Sequence, residues 1–255
     1  MQTLKGRTAV MAGATAGDGR ETVKTLCAGG MNVVMMTHNR AAAEALADEI
    51  KTANAPGECI FYVSRPGEKP AEEDPAVYEE IRERFGSVDV IIANTGADGH
   101  RDSVETLAPE ELERSLKHLT VGAFRMLQTA LPFLKQSSAP RVILMSTVEG
   151  IHGGTHESLT NAVAKGAVAS LALNAAARLA PMGITVNCIA KGAIPRVEGV
   201  RPGDPDPAER LSSIPLGRLG SSKDLAETVA FLASEEAAYL TGQLLELSGG
   251  LNLGR

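Results

Sequence analysis

With 255 residues and a formal net charge of −6, the chain is long enough for one large α/β domain or two small ones, and it lacks the Lys/Arg-rich run expected of a nucleic-acid surface. No apolar run approaches the ~20 residues that cross a bilayer, and MQTLKGR leads into a strand-like segment with no charged-then-apolar leader, so the expected compartment is the cytoplasm and the expected ligand a small soluble molecule. Cys27, Cys59 and Cys188 have no C-x-x-C spacing and are odd in number; they read as reduced core residues, with no metal site.

The first apolar run, RTAVMA at 7–12, is followed by MAGATAGDGR, in which Thr15 sits among Gly13, Gly17 and Gly19 ahead of a helical segment at 17–29. Glycines between a strand and a helix let the chain turn tightly and let backbone N–H groups approach a pyrophosphate at the helix N-terminus. NVVMM at 32–36 is the second strand, and MTHNR beyond it places Thr37, His38 and Arg40 where an acidic residue would bind a ribose diol and repel a 2′-phosphate. The lack of that acid favours NADP over NAD.

A helix at 40–53, a strand at 58–63 and a helix at 74–85 precede the fourth strand, VDVIIA at 88–93, which runs into Asn94 and Gly96. Pro109, Glu110 and Glu111 suit the first turn of the next helix, 109–135, because a missing N–H costs nothing there and negative charge faces the positive dipole end. The fifth strand, 141–146, leads into a loop carrying His152 and His156, then a helix at 158–180 with Gly183 beyond its end. After the sixth strand, 184–189, the Pro/Gly-rich segment 191–215 is expected to lie at the carboxyl edge of the sheet as a substrate lid or a surface loop. A helix at 222–234 and a strand at 243–247 complete the pattern. Strand alternating with helix throughout predicts one doubly wound α/β domain over 1–255, a parallel seven-stranded sheet with helices on both faces.

The glycine spacing, VIIANTG at 90–96, VILMSTVEG at 142–150 and the stretch 216–250 together resemble the short-chain dehydrogenase/reductase superfamily over essentially the whole chain. The resemblance implies a Rossmann fold and a nicotinamide cofactor. It places Gly13, Thr15, Gly17, Gly19, His38, Arg40, Asn94, Gly96, Lys165, Gly192 and Ile194 around that cofactor, and implies a homo-oligomer, tetramer or dimer. In the superfamily a tyrosine gives the proton, a lysine lowers its pKa and holds the ribose, a serine positions the carbonyl and an asparagine supports a water relay. Lys165 matches the lysine, Thr147 falls at the serine, Leu119 at the asparagine and Asn161 at the tyrosine.

A carboxamide neither gains nor loses a proton in the useful range, so Asn161 can orient an oxygen but cannot be the acid. His152 and His156 are the candidate replacements, being side chains of the type that titrates nearest neutral pH. Further departures are Asp18 inside the glycine loop, Tyr62 where an aspartate would meet adenine, Ala93 for the first asparagine of the fourth-strand motif, Lys191 for a proline and Arg196 for a threonine. A carboxylate at residue 18 repels a pyrophosphate unless it turns away or pairs. The first expectation is thus an atypical NADPH-preferring oxidoreductase with a reassigned proton donor. The alternatives are the same fold turned to non-redox chemistry (lyase, isomerase or hydrolase) on a polar or anionic substrate, with or without a dinucleotide, and a catalytically silent subunit.

Overall fold

The computed structural model describes residues 4–64, 69–96, 103–154, 158–195 and 211–252. Its strands are β1 (Thr8–Ala12), β2 (Asn32–Thr37), β3 (Cys59–Val63), β4 (Val90–Ala93), β5 (Arg141–Thr147), β6 (Thr185–Lys191) and β7 (Leu244–Leu247). All pair in parallel in the order β3-β2-β1-β4-β5-β6-β7, the seven-stranded sheet expected from the sequence. The order reverses between β1 and β4, which opens a crevice at their carboxyl ends.

The helices are α1 (Gly17–Ala28), α2 (Arg40–Thr52), α3 (Pro75–Phe85), α4 (Pro109–Ser115), α5 (Gly122–Leu134), α6 (Val148–His152), α7 (Leu159–Leu179) and α8 (Ser222–Ala233). Strand alternation sends Val10, Ile91, Val142 and Val186 to one face, where Tyr78 and Ile81 of α3, Met126 and Phe133 of α5 and Val168 of α7 cover them. Met11, Ile92, Ile143 and Ile189 go to the other, under Val23 and Leu26 of α1, Leu46 of α2 and Val229 of α8. Burial on both faces explains why the inner strands read as unbroken apolar runs rather than alternating ones.

Two segments differ from the sequence reading. The helix expected over 109–135 is interrupted by a wider turn at Leu116–Val121, where Ser115 Oγ donates to the Thr160 carbonyl (3.2 Å) and Thr120 Oγ1 to the Ala164 carbonyl (3.0 Å), binding the wide turn to α7. The start of the loop at 148–158 is itself helical, because Thr147 Oγ1 accepts from the Gly150 N–H (3.2 Å) and caps α6. Cys27 and Cys188 are buried and Cys59 half-buried, all three as free thiols. Cys27 and Cys59, distant in sequence, share a hydrogen bond that, with burial, pushes the Cys27 thiol well above its usual range. Among the described residues no helix is long and apolar enough to cross a membrane, and no group of three His, Cys, Asp or Glu side chains could hold a metal.

Candidate active site

The glycine loop lies in the crevice between β1 and β4. Gly13 has a φ of +71°, and a Cβ there would stand 2.2 Å from the Asn94 carbonyl oxygen; one on Gly19 would stand 1.9 Å from the Gly13 carbonyl oxygen. Neither position tolerates a side chain, so the loop folds back on its own helix. Above Gly17 and Gly96 a Cβ would meet nothing within 4 Å. Helix α1 starts at Ala16 with no side-chain cap, which leaves the positive end of its dipole to be served by solvent or an anion.

Asn94 Nδ2 donates to the Gly13 carbonyl (3.2 Å), whereas its Oδ1 is buried without a hydrogen-bond partner. An orphaned acceptor beside an open glycine cradle is the arrangement that a polar ligand would complete, so the residues present fit a dinucleotide. Thr15 ties the loop to β2 through a 3.2 Å contact between its Oγ1 and that of Thr37. Beyond β2, His38 is exposed with Nδ1 3.2 Å from the Ser64 carbonyl oxygen, and Asn39 Oδ1 caps α2 by accepting from the Ala42 N–H (3.1 Å). Arg40 Nη1 lies 3.3 Å from Glu44 Oε1, with the guanidinium 5.7 Å from the centre of the Phe61 ring. The first turn of α2 holds no carboxylate. At the sheet's other half, Gly192 packs so closely on Ser248 that a Cβ would be 2.7 Å from its Cα, and the Ile194 N–H donates to the Gly192 carbonyl (2.9 Å).

Helix α7 brings Asn161 and Lys165 onto one face. Ser158 Oγ accepts from the Asn161 N–H (3.2 Å) and starts the helix. Lys165 is buried; its Nζ donates to the Thr95 carbonyl at 2.5 Å and the Met145 carbonyl at 3.0 Å, so the ammonium bridges the ends of β4 and β5. Ser146 Oγ donates to the Lys165 carbonyl (2.8 Å), fixing α7 against β5. Leu119, which the sequence reading sets against the superfamily's asparagine, is a buried apolar side chain in the wide turn and has no group to carry a proton. Burial pushes the Cys188 thiol up to about 12, against the pull of the Lys165 ammonium, so Cys188 stays protonated at neutral pH and offers no thiolate.

His152 ends α6, the helix that Thr147 begins. Its Nε2 is 2.5 Å from Glu246 Oε1 of β7, and the two side chains are 21% and 32% exposed. A carboxylate only accepts, so Nε2 carries the hydrogen and Nδ1 is the nitrogen left for other work. Helix α6 crosses α7 where Gly150 and Gly166 touch, since a Cβ on Gly166 would lie 2.5 Å from the Gly150 carbonyl oxygen. That crossing is next to Lys165 in α7 and two residues before His152 in α6. His156 and Arg196 lie outside the described residues, as do 196–210 of the segment read as a lid.

A family model described as enoyl-(acyl carrier protein) reductase matches residues 13–252. The 3-oxoacyl-[acyl-carrier-protein] reductase FabG of Staphylococcus aureus is 34% identical over 252 residues, covering 96% of this chain and 98% of its own. The chain is a short-chain dehydrogenase/reductase. FabG of Escherichia coli K12 is 32% identical to this chain over 249 residues, with 97% and 98% covered. Among solved structures, YwfH, an NADPH-dependent reductase involved in bacilysin biosynthesis, superposes with a TM-score of 0.85 at 27% identity over 98% of this chain and 99% of its own. A mutant form of a Serratia marcescens short-chain dehydrogenase/reductase gives 0.83 at 25% identity over 98% and 99%.

Sequence reasoning missed two partnerships in this chain. Glu246 stands alone as a charge between Leu245 and Leu247, and that interruption of a strand was the available signal. The second is Lys191 Nζ at 3.0 Å from Asp18 Oδ2, with Ser222 Oγ donating to Asp18 Oδ1 at 3.1 Å. Asp18 therefore pairs, and two departures read separately from the sequence are one interaction.

Proposed function

We propose that the chain is an NADPH-dependent carbonyl reductase in which His152, oriented by Glu246, supplies the proton that residue 161 cannot. The observation that carries the proposal is the 2.5 Å hydrogen bond between His152 and Glu246. An imidazole fixed by a carboxylate is the standard arrangement for an acid–base group. NADPH is favoured because the end of β2 presents Thr37, His38 and Arg40 with no acid in the first turn of α2. The family and its named relatives are reductases, which supports redox chemistry over the lyase, isomerase, hydrolase and silent-subunit readings.

When bound, the nicotinamide supplies a hydride to the carbonyl carbon. Thr147 Oγ1 accepts from Gly150, so its own O–H remains to donate to the carbonyl oxygen, and the Asn161 amide helps to orient it. Protonated His152 then gives the Nδ1 hydrogen to the oxygen and is left as the neutral ring, its Nε2–H still on Glu246. No proton passes to the carboxylate. Exposed Val121 and Phe124, in and beside α5, and Val163 and Leu173 of α7 support self-association as part of the same proposal, read by sedimentation.

The test is NADPH oxidation with a panel of small ketones and aldehydes. His152→Asn should lower kcat about 100-fold while leaving NADPH affinity unchanged. His156→Asn is the comparison, and a loss confined to that variant would move the donor there. Brisk turnover by the double variant would overturn the proposal. His38→Asp should weaken NADPH against NADH by about tenfold, since it restores a charge that repels the 2′-phosphate.

A further inference from the structure

Asp18 sits in the first turn of α1, one residue beyond the open space at Gly17 where an anionic ligand would settle. A carboxylate there is favoured by the same dipole that favours a phosphate, which makes it an internal competitor for that end of the helix. Its side chain is turned across the crevice instead. Oδ2 meets Lys191 at the end of β6 and Oδ1 accepts from Ser222 in the first turn of α8. The side chains of Asp18 and Lys191 are only 16% and 23% exposed, so solvent screens the pair weakly. Three elements that are far apart in sequence are thus clasped by one carboxylate.

We infer that Lys191 is a positioning residue for the cofactor's phosphates, acting through Asp18: the ammonium draws the carboxylate off the α1 N-terminus and cancels its charge, so the glycine loop accepts an anion it would otherwise repel. The inference rests on the NADPH reading above and deepens it. A purely structural clasp would instead hold β6 to α1 and leave phosphate affinity alone. The two differ in how the single substitutions combine. Lys191→Met leaves a carboxylate uncompensated beside the phosphate site, whereas Asp18→Asn leaves a cation there, and removing both returns the local charge to zero.

The experiment is a double-mutant cycle by calorimetry with NADPH on the full chain, at two salt concentrations. Lys191→Met should raise the NADPH Kd about tenfold or more, Asp18→Asn should lower it or leave it level, and the double variant should return to within about threefold of wild type. The Lys191→Met penalty should shrink at high salt, a change that a packing role would not produce. Thermal melts of all four proteins keep folding losses separate. Equal Kd values across the cycle, or a double variant as weak as Lys191→Met, overturn the inference while the NADPH reading stands. Failure of folded wild-type protein to bind NADPH overturns both, and that result is read in the wild-type arm alone.

Discussion

Glu246 Oε1 lies 2.5 Å from Nε2 of His152, although the two residues are 94 positions apart and belong to β7 and α6. The carboxylate fixes which ring nitrogen holds its hydrogen. Glu246→Gln keeps a hydrogen-bonding group of the same size but removes the charge that stabilises the protonated ring. The variant should therefore lose about tenfold or more in kcat, less than His152→Asn. Steady-state kinetics at neutral pH check it; an unchanged kcat would detach Glu246 from the chemistry.

Asn161→Tyr asks whether a phenol at residue 161 can serve as the proton donor. Residue 161 is in the first turn of α7, its N–H held by Ser158, and shares a face with Lys165 four residues on. The ammonium's 2.5 Å contact with the Thr95 carbonyl fixes it at the carboxyl edge of the sheet. A phenol there should supply a second proton source, so Asn161→Tyr combined with His152→Asn should recover about tenfold over His152→Asn alone. If the double variant is no faster than the single one, a phenol at residue 161 does not deliver the proton.

The fold and the site were legible in the sequence to different degrees, for a physical reason. Burial on both faces of the sheet writes itself into runs such as AVMA and VIIA, and the glycines at 13 and 19 fall in one short strand-to-helix loop, so both signals can be read from neighbouring residues, even though the atom that excludes a Cβ from Gly13 is the distant Asn94 carbonyl oxygen. The wide turn at Leu116–Val121 was not legible, because it depends on Ser115 and Thr120 reaching carbonyls of α7. Likewise, Asp18, Lys191 and Ser222 are single polar residues in separate segments, and only the strand order brings them together. Elements follow from short-range periodicity, whereas partnerships follow from topology.

Gly19→Ala tests the loop's close approach directly. A methyl group 1.9 Å from the Gly13 carbonyl oxygen cannot be accommodated unless backbone shifts, since the atom it meets is not a flexible side chain. We expect a loss of about 2 kcal/mol or more in unfolding free energy, with NADPH affinity falling further than stability alone explains. Chemical denaturation and calorimetry measure the two separately. Gly96→Ala provides the contrast, because a Cβ there meets nothing within 4 Å and should weaken the cofactor more than the fold.

Asp224 provides a prediction remote from the site. It closes the capping box of α8, accepting from the Ser221 N–H at 2.8 Å while the Ser221 hydroxyl accepts from the Asp224 N–H at 3.1 Å, and Arg218 Nη1 lies 2.8 Å from its carboxylate. The Arg218 hydrogen bonds, then those from Ser221, hold this carboxyl well below its usual range. A folded-state value depressed below the unfolded one means that the unfolded chain takes up the proton first as pH falls. The contribution is therefore complete above the ordinary aspartate value of about 3.9 and is lost as pH drops through the folded value. Asp224→Ala should cost about 1 kcal/mol at neutral pH, and the difference from wild type should narrow progressively below about pH 4. Denaturant unfolding of both proteins from pH 7 to 3 checks this, and a gap that stays constant with pH would show that the carboxylate's charge has no part in holding the helix.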